Sequence, residues 1–394
     1  MEYSTKSETD LMSQIRDKQT GVPTWTQPDE FDFSSWADRN EVGRRLEDGR
    51  IKTTIDRSAE IADDLFSLRH PDQKQDAVSR AEFVGDIASQ GLRFGRWFNF
   101  SWNQQLVRYP ERSDHEDLRT YRNKDMITDA EQRKLLMAKV AVFGLSVGSS
   151  VVEQMAMGGI GGTFVLADFD KLSPTNLNRI NAGFDNIGME KIDIAASKLS
   201  ETDPYITQIH FRDGINESHF DELAEIRPDV IFDEIDNLAI KALLRQFAQK
   251  NSIPLIMATD VGDKSVIDVE RYDDGKTQPF NGRLNDDEID KLLSGEISDA
   301  EKQKITMKIV GYSNISPRLI DSSMKIGKSL DGLPQLGVTA GMGGSLGTVA
   351  ARELLIGRKL KSGRYVSSPK KILDLQNSTS LLGALEIIRR FARK

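Results

Sequence analysis

The sequence contains no cysteine. That excludes disulfides, thiolate zinc sites and a thiol nucleophile from this chain. Histidine is scarce: His70, His115, His210 and His219 are the whole set, and no two stand at the spacing of a helical metal-ligand pair. A histidine-based metal site is therefore not expected. No apolar run is long enough to cross a bilayer, and the opening MEYSTKSETDLMSQ is polar and mixed in charge. The reading is a soluble, cytoplasmic protein with no membrane partner. Cations are outnumbered, 53 Lys and Arg against 61 Asp and Glu. This weighs against broad electrostatic binding of nucleic acid, although a local basic patch stays open.

Residues 1–118 differ from the rest. All four tryptophans lie here, Trp25, Trp36, Trp97 and Trp102. The start, to about Glu30, is polar and expected to be loosely ordered. Residues 40–93 mix charged and apolar positions at helical spacing, so 1–118 is expected to be a mostly helical extension. The aromatic stretch RFGRWFNFSWNQQL reads as a cap packed on the next domain, or else as a partner surface.

From Met137 short apolar runs alternate with helical patterns. KVAVFG, TFVLADFD, ITQIHFR, DVIFDEID and IPLIMATD read as strands, separated by SSVVEQMAMGGIGG, EKIDIAASKLSETDP, SHFDELAEIR and AIKALLRQFAQKN as helices. That alternation predicts an α/β fold with a Rossmann-like, doubly wound, mainly parallel sheet over residues 119–262. SVIDVERYD is a further strand candidate. Residues 274–332 are polar, charged and helix-prone, and 263–335 reads as a crossover and substrate segment. In 336–394 the small-residue run LGVTAGMGGSLGTVAARELLIG reads as a helix, KKILDL as a strand and LLGALEIIRRFARK as a terminal helix.

The first core strand opens into FGLSVGSS. A glycine-rich turn at a helix start offers backbone N–H groups to phosphate. Gly144 holds the first position of a G-x-G-x-x-G pattern; Ser146 and Ser149 fill the other two. Asp168, at the tip of the second strand, stands where an acid bonds a ribose hydroxyl. Up to this point an NAD enzyme and an ATP enzyme fit equally. GLSVG also matches the nucleophile elbow of hydrolases, with Ser146 as nucleophile. That chemistry needs a late histidine, and none follows His219. The next loop separates the readings. Arg179 and Lys191 are cations suited to the β- and γ-phosphates of a triphosphate, and Asn176 can bond ribose or phosphate. Asp236, at the end of DEIDN, is suited to hold Mg²⁺ at the sheet edge where such folds bind ligands.

DFDKLSPTNLNR, the glycine turn, GMEK and DEIDN together resemble, in order and spacing, the ThiF/MoeB/E1-like adenylyltransferases, over roughly Tyr121 to Gly357. The resemblance implies ATP lined by Gly144, Ser146, Gly148, Asp168 and Asp170. It implies that Asn176 and Arg179 meet the phosphates, Lys191 the phosphates in the transition state, and Asp236 the Mg²⁺. It also implies a homodimer in which Arg122 reaches the partner's site. The implied reaction activates a carboxylate as an acyl-adenylate, on a protein or peptide C-terminus first and on a small molecule or tRNA base second. With no cysteine, the acyl acceptor lies off this chain. An NAD- or FAD-binding redox protein and an inactive scaffold of the same fold are the other readings.

Overall fold

The computed structural model describes residues 23–375. The first eight elements are β1 (Asp29–Phe31), α1 (Trp36–Glu47), β2 (Thr53–Ile55), α2 (Ser58–Arg69), α3 (Ala77–Ser89), β3 (Arg96–Phe100), β4 (Gln105–Tyr109) and α4 (Arg112–Thr120). They correct the expectation of a mostly helical extension. The helices between 40 and 93 are there, but a four-stranded sheet of order β1-β3-β4-β2 accompanies them. Its hairpin is the aromatic stretch, and Trp97, Phe98 and Phe100 are buried. The start is ordered earlier than expected. Trp25 is buried and its indole Nε1 donates to Ser200 Oγ at 3.1 Å. Residues 1–22 lie outside the described residues.

The remaining elements are α5 (Asp129–Met137), β5 (Lys139–Phe143), α6 (Val147–Met157), β6 (Thr163–Ala167), α7 (Lys191–Thr202), β7 (Thr207–Phe211), α8 (Phe220–Ile226), β8 (Val230–Asp233), α9 (Leu238–Asn251), β9 (Leu255–Val261), β10 (Lys264–Glu270), α10 (Asp286–Ser294), α11 (Asp299–Val310), α12 (Pro317–Ser323), α13 (Gly337–Leu355), β11 (Gly363–Ser367) and α14 (Pro369–Ile372). The strands form one sheet of order β11-β10-β9-β8-β5-β6-β7. The five from β7 to β9 are parallel, and β10 and β11 are antiparallel. This is the expected α/β class. The strand order reverses between β5 and β8, which places a crevice at their C-terminal ends. KKILDL is not a strand: α14 occupies its start, and the edge strand is the preceding Gly363–Ser367. Pro369 explains the error, since its ring suits a helix start and removes a ladder donor. LLGALEIIRRFARK lies outside the described residues. Among the described residues no helix is long and apolar enough to cross a membrane.

The core strands are apolar on both faces because helices cover both. Val140, Val142 and Phe164 pack with Val151, Met155, Ile192 and Ala351 on one side. Ala141, Phe143 and Ile231 pack with Leu223, Leu244 and Phe247 on the other. Each such burial stabilises by about 1.5–3 kcal/mol. The small-residue helix α13 lies against α6 so closely that a Cβ at Gly344 would sit 2.6 Å from Ser150 Cβ. Small residues there let two backbones approach and place the N-terminus of α6 firmly beneath the crevice.

Candidate active site

The crevice holds a cavity of about 500 Å³, within the range of small-ligand sites. Six residues singled out in the sequence line it: Ser146, Asp170, Asn176, Arg179, Lys191 and Asp236. Gly144 makes the turn possible. Its φ is +88°, and a Cβ would lie 2.3 Å from the Glu234 carbonyl oxygen. A Cβ at Gly148 would lie 2.9 Å from Val142 Cγ1. Asp168 is buried and accepts from the Leu145 N–H at 2.6 Å and the Asp170 N–H at 2.7 Å. One oxygen therefore ties the glycine turn to the end of the second strand, and the other shapes the loop that follows that strand. Burial pushes its carboxyl up, against those hydrogen bonds and the nearby Lys191.

Lys191 opens α7 and is buried, its Nζ 2.7 Å from Asp170 Oδ2. Arg179 Nε donates to Ser146 Oγ at 3.1 Å, and Nη1 to the Thr175 carbonyl at 3.1 Å. Asn176 Oδ1 accepts from the Ser173 N–H at 3.0 Å, which closes the short turn carrying Arg179. Strand β8 stops at Asp233, earlier than the sequence pattern suggested, so Asp236 stands in the loop after it. Asn237 caps α9 by accepting from the Ala239 and Ile240 N–H groups. That cap fixes the bend that brings Asp236 to the cavity.

Ser146 does not form a hydrolytic triad. Its hydroxyl meets Arg179, while His210 packs on Trp25 at 4.5 Å and His219 stacks on Phe211 at 4.4 Å. Arg122 is exposed and lines a separate hollow with Asp63, Asp64, Lys74 and Arg80. Within one chain it does not join the cavity.

Sequence reasoning missed a buried charge cluster behind the cavity floor. Asp233 and Arg245 are fully buried, with Arg245 Nη1 2.6 Å from Asp233 Oδ2. Arg245 Nη2 lies 2.8 Å from Glu270 Oε1, and Lys241 Nζ 3.0 Å from Asp233 Oδ1. Glu270 also accepts from Tyr272 Oη at 2.5 Å and the Phe280 N–H at 2.7 Å. Burial opposes ionisation of Asp233, but Lys241 and Arg245 outweigh it and hold the carboxyl below its ordinary range. Burial pushes Glu234 well up, although it accepts from the Ala258 N–H at 2.8 Å, and pushes Asp260 up as well. Lys241 and Arg245, one turn apart on α9, were the available signal.

A family model described as the ThiF family matches residues 119–368. The Mycobacterium tuberculosis protein MT1398 is 35% identical over 280 residues, 71% of this chain and 38% of that protein. The tRNA threonylcarbamoyladenosine dehydratase of Escherichia coli is 30% identical over 127 residues, 32% of this chain and 47% of that enzyme. The molybdopterin-synthase adenylyltransferase of Haemophilus influenzae is 27% identical over 231 residues, 56% of this chain and 90% of that enzyme. The chain thus spans less than half the length of the first two.

Proposed function

From its membership of the ThiF family, to which this chain belongs, we propose that the protein binds ATP in this cavity and adenylates a carboxylate. The observation that carries the reading is the convergence of Ser146, Asp170, Asn176, Arg179, Lys191 and Asp236 on one cavity. Two of these, Arg179 and Lys191, are cations suited to the charge of a triphosphate.

Mg²⁺ fits the donor set. Among the described residues no cluster of three or more acidic or histidine side chains could hold a metal alone. Magnesium usually takes one or two carboxylates and fills its shell with phosphate oxygens and water. Asp236 would hold it, and bound Mg²⁺ would neutralise phosphate charge. The chain's own residues do the rest. The N–H groups at the start of α6 and the Arg179 guanidinium hold the phosphates. Lys191 leaves Asp170 for the charge that builds as the substrate carboxylate attacks the α-phosphorus and pyrophosphate leaves. The product is an acyl-adenylate. No thiol on this chain can receive the acyl group, so an external nucleophile takes it.

The carboxylate belongs first to a protein or peptide C-terminus. A small-molecule or tRNA-borne carboxylate is the second reading, favoured by the similarity to a tRNA-modifying dehydratase. A homodimer with Arg122 donated across the interface completes the site. The test is calorimetric titration with Mg²⁺ and ATP beside NAD and FAD. ATP binding that disappears in Asp236→Ala, with an unchanged melting profile, is expected. Binding of NAD or FAD without ATP would sink the reading.

A further inference from the structure

The cavity has two halves of different chemistry. The stretch from β6 to α7 supplies Lys171, Arg179 and Lys191 to the lining, cations suited to a polyphosphate. The ends of β8 and β9 and the last turn of α11 supply the other half. Its walls combine the apolar Leu238, Met257, Ile309 and Val310 with the carboxyls of Asp233, Glu234 and Asp260, and among the described residues its one lining cation is Lys241. Among the described lining residues, a carboxylate entering from this half meets no other positive side chain.

Lys241 is placed to receive one. Its side chain is nine-tenths buried. The ammonium has three donors. One goes to Asp233 Oδ1 at 3.0 Å; the other contacts are the Asp233 carbonyl at 3.5 Å and Met257 Sδ at 3.4 Å. A long carbonyl contact and a thioether are weak partners for a charge. Asp233 does not depend on Lys241 alone, because Arg245 holds its other oxygen. Asp233 and Glu270 stand against Lys241 and Arg245 in one chain of ion pairs, which anchors the lysine.

The opposite wall is equally fixed. Arg364 pairs with Asp268 and donates to the Ile309 and Val310 carbonyls, the former a short contact and the latter at 2.6 Å. The C-terminal end of α11 is thereby fastened to the sheet. A fixed wall carrying Ile309 and Val310, set across from the one lining cation of this half, suits an anion carried on an apolar arm.

We propose that Lys241 receives the substrate's carboxylate and that the part of the substrate next to that carboxylate is apolar. This rests on the adenylation reading and assigns a group to its acyl half. Lys241 acts on the substrate directly, orienting one carboxylate oxygen while the other faces the α-phosphate.

The test uses full-length protein, hexanoate and hexanamide as probes, and saturation-transfer NMR, with and without Mg²⁺ and α,β-methylene-ATP. Wild type should bind hexanoate and not hexanamide. Lys241→Gln should weaken hexanoate by about tenfold or more, the loss of one charged hydrogen bond. Lys241→Arg should keep it, and nucleotide affinity should be the same in all three. The arginine variant keeps a cation beside Asp233 and serves if the glutamine variant does not fold. Three results would overturn the proposal: no hexanoate binding by wild type, equal binding by Lys241→Gln, or a parallel loss of nucleotide affinity. Failure of wild type to bind the nucleotide sinks the adenylation reading instead, and the nucleotide-free titration still reports on Lys241.

Discussion

Replacing Arg245 with methionine tests whether the charge cluster supports the cavity floor. Arg245 is fully buried between two carboxylates, 2.6 Å from Asp233 and 2.8 Å from Glu270. At an effective dielectric near 20 each pair is worth about 6 kcal/mol of gross Coulomb energy. Most of that offsets the cost of taking the ions out of water. The substitution removes the cation and leaves both acids behind. Asp233 keeps Lys241, and Glu270 keeps Tyr272 and the Phe280 N–H, so neither is wholly unpartnered. Methionine also fills much of the space over the Phe280 ring, which the guanidinium now covers at 3.8 Å. The expected loss is therefore about 3–5 kcal/mol, the range for breaking a buried pair from one side. Urea denaturation followed by circular dichroism measures it as a lower midpoint at unchanged slope. A loss under about 1 kcal/mol would refute the cluster as described, because two buried carboxylates cannot lose their shared cation so cheaply.

The composite-site idea has a mixing test. Arg122→Ala and Lys191→Ala should each be inactive in pyrophosphate exchange, and re-equilibrated mixtures should recover about a quarter of wild-type activity, since half the dimers are mixed and each has one intact site. No recovery would speak against donation of Arg122 across an interface. Stability should fall below neutral pH. Burial lowers His115 and His210 to about 4, so both fold as neutral rings. Their folded pKa lies below the unfolded value, so their contribution is intact above pH 6.5 and is lost as pH falls from 6.5 to about 4. The loss is about 3–4 kcal/mol each at most, and His115→Gln with His210→Gln should flatten that part of a stability-versus-pH curve. A Gly344→Val variant should cost about 1–3 kcal/mol through its clash with Ser150; an unchanged melting temperature would contradict the close helix contact.

The parallel sheet was legible because its strands are buried on both faces and read as short apolar runs bounded by glycine or proline. KVAVFG and IPLIMATD are such runs, and the helices between them carry helical periodicity, the last of them with its own Asn237 cap. The first sheet was not legible. Its strands β1 and β2 are three residues each, too short to show a period of two, and they form only when β3 and β4 lie beside them.

The residues of the phosphate half were legible because they sit close together along the chain, on two loops whose spacing is set by one strand and one helix. Local order alone places them at the same edge. The charge cluster was not legible in that way. Asp233, Arg245 and Glu270 look like ordinary solvated charges until β8, α9 and β10 are packed together. The acyl half is more distributed still, with walls from β9, α9 and a helix in the crossover segment. Periodicity and turn chemistry act over a few residues and determine which elements exist. Burial and pairing act between elements far apart in sequence, so only the tertiary structure decided which charges lose their water and which cation waits at the far end of the cavity.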